Sequence, residues 1–151
     1  MALIQPAGVR ATRHPVDLSN ADERRRLSAS GLKAFFRIVE VWGLTGNDAR
    51  TLIGGMSNGK YQELKRLVEA RNVEGIKPLS QDQLQRISYV IGITKALRIL
   101  HGAEIADEWM RLQNANPMFG GGRPIDLALK GGIPALAEIR KLLDSRRGMN
   151  A

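Results

Sequence analysis

The stretch WMRLQNANPMFGGGRPIDLALKGG, residues 109–132, decides how this chain is organised. Apolar residues at i, i+4 and i+7 favour an amphipathic helix leading into it: Ile105, Trp109 and Leu112. An Asn-Ala-Asn-Pro sequence then breaks the helical pattern. We expect the apolar pair that follows, Met118 and Phe119, to be exposed just before three glycines.

The second half of this stretch predicts a short helix of its own. The helix begins at Pro124, since proline is a favoured first helical residue, and ends at Gly131 and Gly132. We interpret the whole stretch as a small, rigid helical platform with an apolar knob. That shape suits binding to another protein better than it suits catalysis.

Composition excludes several classes of protein. The chain has no cysteine, so it has neither a disulfide framework nor a thiolate zinc site, which fits a reducing cytoplasm. It lacks any run of about 18 apolar residues, the length that a membrane span needs. The first residues lack the apolar core of a secretory signal. We therefore expect a cytoplasmic protein that is not associated with a membrane.

The net charge of +8 is concentrated in the middle of the chain. Residues 28–101 carry eleven Lys or Arg against six acidic residues. Such an excess of positive charge is typical of a nucleic-acid-binding surface, although a basic surface that only keeps the protein soluble would have the same net charge. Residues 1–29 have no sustained period, and we predict a flexible basic arm that is either solvated or touches a DNA backbone. Within it, residues 22–26 could form a helical turn capped by Ser19 or Asn20.

Helical periodicity covers most of the remaining chain. Residues 30–42 predict a core helix whose apolar residues share one face: Leu32, Phe35, Phe36, Val39 and Trp42. Ser80 and Gln83 have the form of a capping box. The helix that they start is either one kinked helix or two abutting helices, because Gly92 interrupts its apolar stripe.

The last predicted helix begins at Pro134. It places three apolar residues on one face, Leu136, Ile139 and Leu143. A short basic tail is predicted to follow at residues 144–151. With no alternating strand pattern anywhere, the sequence predicts an all-α protein.

The basic middle segment has the outline of a helix-turn-helix motif. One short helix is predicted for residues 47–53 and a second for residues 57–71, with Ser57 as its N-cap. Gly54 and Gly55 form the turn between them.

The second of these helices divides into an apolar and a polar face. Met56, Tyr61 and Leu64 have the spacing that packs it on the first helix. The opposite face carries the candidate DNA-binding residues: Asn58, Lys60, Gln62, Lys65 and Arg66. Asn and Gln can pair with adenine, and Lys and Arg with guanine or phosphate. An ordinary helical hairpin with a solvated polar face fits the same pattern, so both interpretations stay open.

The sequence contains no recognisable catalytic or metal-binding constellation. His14 and His101 share no spacing with acidic residues, and Ser57 has no neighbouring histidine. The glycines at 120–122 do not follow a strand and are not followed by Lys-Ser or Lys-Thr, as a phosphate-binding loop would require. We expect no enzyme activity, no cofactor and no metal. Trp109 and Phe119 remain candidates for core, contact surface or both.

The order of these motifs resembles the antitoxins of the Xre/MbcA/ParS type, which are partners of RES-domain toxins. In the C-terminal part the resemblance rests on Trp109, Asn116, Phe119-Gly120, Pro124, Leu127, Leu129, Gly131 and residues 135–143. Upstream it rests on residues 42–45 (Trp-Gly-Leu-Thr), 52–54 and 79–87. Together the motifs span about residues 30–145.

The resemblance implies an Xre-like helix-turn-helix domain at residues 30–101, followed by a small helical toxin-binding domain at residues 102–151. The second domain would block the active site of an NAD-degrading RES-type toxin, and the first would bind operator DNA and repress the operon. The candidate toxin-binding residues are Trp109, Met118, Phe119, Arg123, Pro124, Leu127, Arg146 and Arg147. We also expect a homodimer, because operator binding usually uses two half-sites.

Three points remain open at this stage. The chain could be a stand-alone Xre-like repressor without a toxin partner, or a helical scaffold that binds only protein. If it is an antitoxin, either Arg146 and Arg147 or the terminal carboxylate of Ala151 could enter the toxin's pocket.

Overall fold

The computed structural model describes residues 17–149, and within that range the chain is helical without any β-strand. The helices in chain order are α1 (Ala21–Val41), α2 (Gly46–Leu52), α3 (Asn58–Glu69), α4 (Gln81–Leu100), α5 (Ala103–Trp109) and α6 (Pro124–Met149). A single 3₁₀ turn, Pro117–Phe119, lies between α5 and α6. The predicted all-α fold is confirmed. Among the described helices none is long and apolar enough to cross a membrane.

Helix α1 begins earlier than the sequence pattern predicted. Its N-cap is Asn20, whose side chain accepts hydrogen bonds from the backbone N–H groups of Asp22 and Glu23. These two acidic residues also lie favourably at the positive end of the helix dipole. The helical turn predicted at residues 22–26 is confirmed with Asn20 as its cap, but it belongs to a longer helix, so the prediction of a flexible arm is wrong for residues 21–29. Residues 1–16 of that predicted arm lie outside the described range.

Ser28 holds the first part of α1 to the rest of the molecule. It is fully buried, and its Oγ accepts a hydrogen bond of 2.9 Å from the backbone N–H of Leu79, just before α4. A buried polar side chain is tolerated only when it finds such a partner. This contact explains why residues predicted to be flexible belong to the folded unit.

The two helices of the basic middle segment form as predicted. Ser57 caps α3 by accepting from the N–H of Lys60, and Thr45 caps α2 in the same way through Asp48. Gly54 and Gly55 form the turn with positive φ angles of 111° and 83°, a region that favours glycine. The apolar residues predicted to pack are buried, namely Met56, Tyr61 and Leu64.

Helix α4 is one continuous helix, and the predicted interruption at Gly92 is absent. The capping box of Ser80 and Gln83 is present as predicted. Gly92 is buried beneath the guanidinium of Arg140 from α6, which occupies the place where a Cβ would stand. This glycine therefore permits a close approach between two helices instead of ending one.

Helix α6 consists of two segments that meet at Gly132. That residue has a non-helical backbone (φ 61°, ψ −144°), and the helix resumes by Pro134. The predicted stop at the glycines and the restart are both confirmed, and Leu136, Ile139 and Leu143 are completely buried. The tail predicted from residue 144 is instead helical as far as Met149, the last residue described.

The extension of α6 has an electrostatic cause. Asp144 pairs with Arg140 one turn before it, at 3.0 Å, and with Arg147 one turn after it, at 3.6 Å. Such i, i+3 and i, i+4 pairs support a helix, and arginines suit its C-terminal end.

One hydrophobic core runs through the described part of the chain. Helix α4 packs against both α1 and α6, and α2 packs against both α3 and α6. The boundary predicted between residues 30–101 and 102–151 falls between α4 and α5, where only His101 and Gly102 intervene. The division into two domains stays a prediction, but the core crosses the proposed boundary without a gap.

Candidate DNA-binding and partner-binding surfaces

Helix α3 is attached to α1 through an aromatic contact. The ring of Tyr61 lies edge-to-face against Phe36, with centroids 5.3 Å apart and an interplanar angle of 80°. Burial raises the pKa of the Tyr61 hydroxyl above its ordinary value of 10.0. This packing orients α3, so its polar face has a fixed direction relative to the core.

The candidate DNA-binding residues all lie on the outward side of α3. Four are exposed and Lys65 is half-buried; the exposed four are Asn58, Lys60, Gln62 and Arg66. The first turn of α3 is open to solvent at Asn58 and Lys60. In a helix-turn-helix, this end of the second helix contacts the base edges. The arrangement is compatible with a DNA-reading helix, and its role stays a prediction.

An acidic residue, Glu63, shares this exposed face. Sequence reasoning left it out, although its spacing of three from both Lys60 and Arg66 would have placed it there. A carboxylate repels phosphate. In the major groove it can accept a hydrogen bond from the amino group of cytosine. If α3 reads DNA, Glu63 would restrict which sequences it accepts.

Trp109 and Phe119 form a buried pair. Each is 8% exposed, and their rings meet edge-to-face at 5.9 Å with an interplanar angle of 83°. The prediction of an exposed apolar knob is therefore wrong for Phe119, while Met118 beside it is half-buried. The cause is the 3₁₀ turn: Asn116 caps it by accepting from the N–H of Met118 at 2.9 Å, which turns the Phe119 ring inward.

The loop around this pair is closed by backbone hydrogen bonds. The N–H of Asn114 donates to the carbonyl of Gly122 at 3.0 Å, and the N–H of Ile125 donates to the carbonyl of Met110 at 3.0 Å. Gly120 ends the 3₁₀ turn in the left-handed region, with φ 56°. The predicted rigidity of this stretch thus has a physical basis in its own hydrogen bonds.

The amphipathic face predicted before this loop is displaced. Ile105 and Leu112 are 56% and 52% exposed, whereas Ala106 and Met110 are buried together with Trp109. Helix α5 ends at Trp109, so Leu112 no longer follows helical periodicity. Periodicity carried past the true helix end explains the error at Leu112 only. Ile105 lies inside α5 and is exposed, while Ala106 beside it is buried.

The first segment of α6 carries the next three candidate partner-binding residues. Pro124 is buried, Leu127 is half-buried, and Arg123 is exposed just before the helix. Arg123 donates two hydrogen bonds to Asp126, at 2.7 and 3.0 Å. The hydrogen bond from Arg123 holds the pKa of Asp126 below its usual 3.8. The same hydrogen bond with Asp126 raises the pKa of Arg123 above its ordinary value. A partner would thus meet an ion pair at this position.

Arg146 and Arg147 lie in the second segment of α6, on the other side of the break at Gly132. Both are half-buried, and Arg147 pairs with Asp144. Along the helix axis, Arg146 lies about 18 Å beyond Pro134. The candidate partner-binding residues therefore fall into two groups. The first runs from Trp109 through the 3₁₀ turn to Leu127 at the start of α6, and the second is Arg146 and Arg147.

Apolar side chains whose exposure sequence reasoning did not predict lie near the junction of α4 and α5. Ile99 is 63% exposed and Ile105 is 56% exposed. An ion pair of 3.8 Å between Arg98 and Asp107 joins the two helices here. The predicted stripe placed Ile105 on one face with Trp109, so the apolar spacing did not find this surface.

Residues 17–149 contain no cluster of potential metal ligands. No group of three or more His, Asp or Glu side chains there is placed to hold a metal ion. The described surface instead offers a polar helix, α3, and an apolar-and-charged segment at the start of α6.

Comparison with known proteins finds a family match for the C-terminal part of the chain. Residues 96–148 match the family described as the antitoxin Xre/MbcA/ParS C-terminal toxin-binding domain. The chain is also 34% identical over 118 residues to the protein named "Uncharacterized protein y4oB" of Sinorhizobium fredii (strain NBRC 101917 / NGR234). That similarity covers 78% of this chain and 84% of the relative. No solved structure matches the chain.

Proposed function

The chain belongs to the Xre/MbcA/ParS antitoxin family, and from this premise we propose that it neutralises an NAD-degrading RES-type toxin and represses its own operon. The observation that carries the proposal is the match of residues 96–148 to a toxin-binding domain. The match begins near the end of α4 and includes the Trp109–Phe119 pair and both segments of α6.

Neutralisation works by steric block in this proposal. Met118, Arg123 and Leu127 are the residues of the first group with side-chain surface available to a partner. Trp109, Phe119 and Pro124 are buried, and they act by holding the loop and the start of α6 in shape. A partner seated here would meet a preformed surface, which lowers the ordering entropy that binding must overcome.

The second group of residues places cations near the toxin's pocket. Arg146 and Arg147 project from a helix rather than from a tail, so their positions are fixed relative to the core as far as Met149. A pocket for a dinucleotide is built to hold phosphates, and a helical pair of arginines at its rim would block entry of the substrate. The alternative occupant, the carboxylate of Ala151, lies outside the described residues.

Repression of the operon would use α3. The support for this part is the glycine turn, the Ser57 cap and the exposed polar face of α3. Two chains would bind as a homodimer, because a palindromic operator presents two half-sites. In cells the pair would be made together and act in the cytoplasm.

Co-expression in cells tests the proposal. The full chain is expressed together with the RES-type protein that the proposal expects to be encoded beside its gene, and intracellular NAD and growth are followed. We expect the wild-type chain to preserve both, and Leu127→Asp to lose protection although the purified variant keeps its helical circular-dichroism signal. Undiminished NAD loss in the presence of the wild-type chain would contradict the proposal.

A stand-alone repressor is the second candidate, favoured by the α2–turn–α3 geometry in the part of the chain outside the matched domain. It predicts salt-dependent binding to the DNA upstream of the gene, since Lys and Arg contacts to phosphate release counterions. It also predicts that no stable complex forms with any RES-type protein encoded nearby. Affinity purification of the tagged chain from its own cells distinguishes the two candidates.

A further inference from the structure

A groove with an apolar floor lies between α1 and the C-terminal end of α3, and we call it the α1–α3 groove. It has a volume of about 600 Å³. Its floor is formed by apolar residues of α1, α3 and the connection after α3, namely Ala29, Leu67, Val68, Val73 and Ile76. Val73 is 57% exposed, so the groove is open to a partner. None of the candidate DNA-binding or partner-binding residues lines it.

The end of α3 holds an arginine in a strained backbone beside this groove. The N–H of Asn72 donates to the carbonyl of Leu67 at 2.9 Å, which is the hydrogen bond of a Schellman helix ending. The N–H of Arg71 donates to the carbonyl of Val68 at 3.1 Å and completes the motif. Glycine normally occupies the position of Arg71, whose φ is 55°. A side chain there costs free energy, and strain of this kind is concentrated at functional sites.

The rim of the α1–α3 groove is positively charged. It carries Arg26, Lys33 and Arg71. Glu69 is the one acidic residue that lines the groove in the described part of the chain. Arg26 pairs with Glu23 at 2.9 Å, whereas Lys33 and Arg71 form no ion pair within residues 17–149. A complementary occupant brings apolar side chains for the floor and carboxylates for the rim.

Helix α5 of the same chain presents this combination on its exposed side, which we call the α5 face. Ile105 is 56% exposed. Glu104 directly precedes it and Glu108 follows it by one turn; both are exposed and form no ion pair within residues 17–149. The third acidic residue, Asp107, pairs with Arg98 of α4 at 3.8 Å. Because α5 itself contains neither Lys nor Arg, its exposed side is apolar and acidic.

From this complementarity we propose that copies of the chain associate head to tail, with the α5 face of one copy in the α1–α3 groove of the next. Within one copy both Val73 and Ile105 stay exposed, so a single chain does not close the contact on itself. The two sides differ, so the contact is heterologous and can repeat from copy to copy. It uses one short helix, and we expect weak, salt-sensitive binding with a dissociation constant of roughly 10–100 µM. The contact needs neither a toxin nor DNA.

Two variants of the full chain test the contact, because each leaves one side intact. Ile105→Lys breaks the α5 face and keeps the groove, whereas the rim variant, Lys33→Glu with Arg71→Glu, reverses the rim and keeps the α5 face. Fluorescence anisotropy follows labelled Ile105→Lys titrated with unlabelled chains. We expect it to bind the rim variant at least about tenfold more tightly than it binds unlabelled Ile105→Lys. A symmetric homodimer through another surface would contribute equally to both titrations.

The matched control reverses two cations elsewhere. It is an unlabelled chain that carries Ile105→Lys together with Lys130→Glu and Lys141→Glu, at two exposed lysines of α6 outside the groove. Its α5 face is broken, so it should bind as weakly as Ile105→Lys alone. Equal affinity of the labelled chain for the rim variant and for this control would overturn the proposal. A loss of toxin binding by Ile105→Lys would then assign the α5 face to the toxin instead.

A second measurement uses a variant that should fold better than the wild type. Arg71→Gly removes a rim cation and relieves the left-handed backbone, so it should raise the thermal midpoint by about 2–4 °C. The same variant should weaken self-association about threefold or more, as followed by sedimentation velocity over a series of concentrations. A raised midpoint with undiminished association would overturn the proposal.

Discussion

The α2–α3 hairpin and the loop from Trp109 to Pro124 contrast in how directly their sequences determine their surfaces. In the hairpin, regular periodicity places Tyr61 inside and Lys60 outside, and the structure agrees. In the loop, a 3₁₀ turn and glycines with positive φ redirect the backbone, and Phe119 packs inside on Trp109. The comparison teaches that an apolar residue next to a run of glycines can still be buried, as Phe119 is.

The largest expected effect comes from breaking the buried pair. Phe119→Ala should lower the free energy of unfolding by about 3–5 kcal/mol, because it removes a buried ring and leaves a cavity. With an m-value of about 2 kcal/mol/M, the urea midpoint would fall by roughly 2 M.

Met118→Ala is the control for that variant. Met118 is on the same 3₁₀ turn but only half-buried, so its loss should be clearly smaller. A Phe119→Ala variant that kept full stability and lost only partner binding would show that Phe119 is a contact residue after all.

Glycine substitutions sharpen the contrast between bent and regular backbone. Gly132→Ala should lower stability by about 1–3 kcal/mol, because its φ and ψ lie in a region that L side chains rarely adopt. Gly148→Ala, in the regular last turns of α6 with open space around it, should raise stability by about 0.5–1 kcal/mol. Thermal unfolding of both variants checks the opposite signs. Equal signs would mean that the break at Gly132 is not a fixed feature.

The hairpin is tested at its exposed face. Lys60→Ala should leave stability unchanged, since the side chain is exposed, and should make the dependence of log K on log salt shallower by about 1 if Lys60 neutralises one phosphate. Lys77→Ala removes an exposed lysine outside α3 and should leave the slope as in the wild type. Identical slopes in both variants would remove Lys60 from the DNA-binding face.

The smallest effect concerns the ion pair between Arg123 and Asp126. The lowered pKa of Asp126 means that the pair stabilises the fold above the ordinary pKa of 3.8, and that this stabilisation is lost as pH falls towards the lowered value. Because the pair is exposed, Asp126→Asn should lower stability at pH 7 by less than about 1 kcal/mol. Urea titrations at pH 7 and pH 3 should show the difference between the two proteins shrinking in acid. A constant difference would contradict the pairing.

Much of the helical framework was predictable because caps and periodicity are local. Ser57, Ser80 and Pro124 marked helix starts correctly, and Leu136, Ile139 and Leu143 were assigned to the core correctly. What could not be predicted depends on contacts between distant segments. Residues 21–29 are helical in part because Ser28 meets Leu79, and Gly92 stays helical beneath Arg140.

The candidate surfaces divide in the same way. The exposed face of α3 could be read from spacing. The exposure of Leu112 could not, because it follows from where α5 ends, and Ile105 is exposed although its spacing placed it on one face with Trp109.

The central claim is that the first segment of α6 is the surface that holds a toxin, while α3 serves another ligand. Isothermal titration of the purified chain with the proposed partner, a RES-type protein taken from the same genome, tests this claim directly. We predict that Leu127→Asp weakens toxin binding at least tenfold and that Lys60→Ala leaves it within about twofold of the wild type. Equal toxin affinity of Leu127→Asp and the wild type, or a loss confined to Lys60→Ala, would contradict the account.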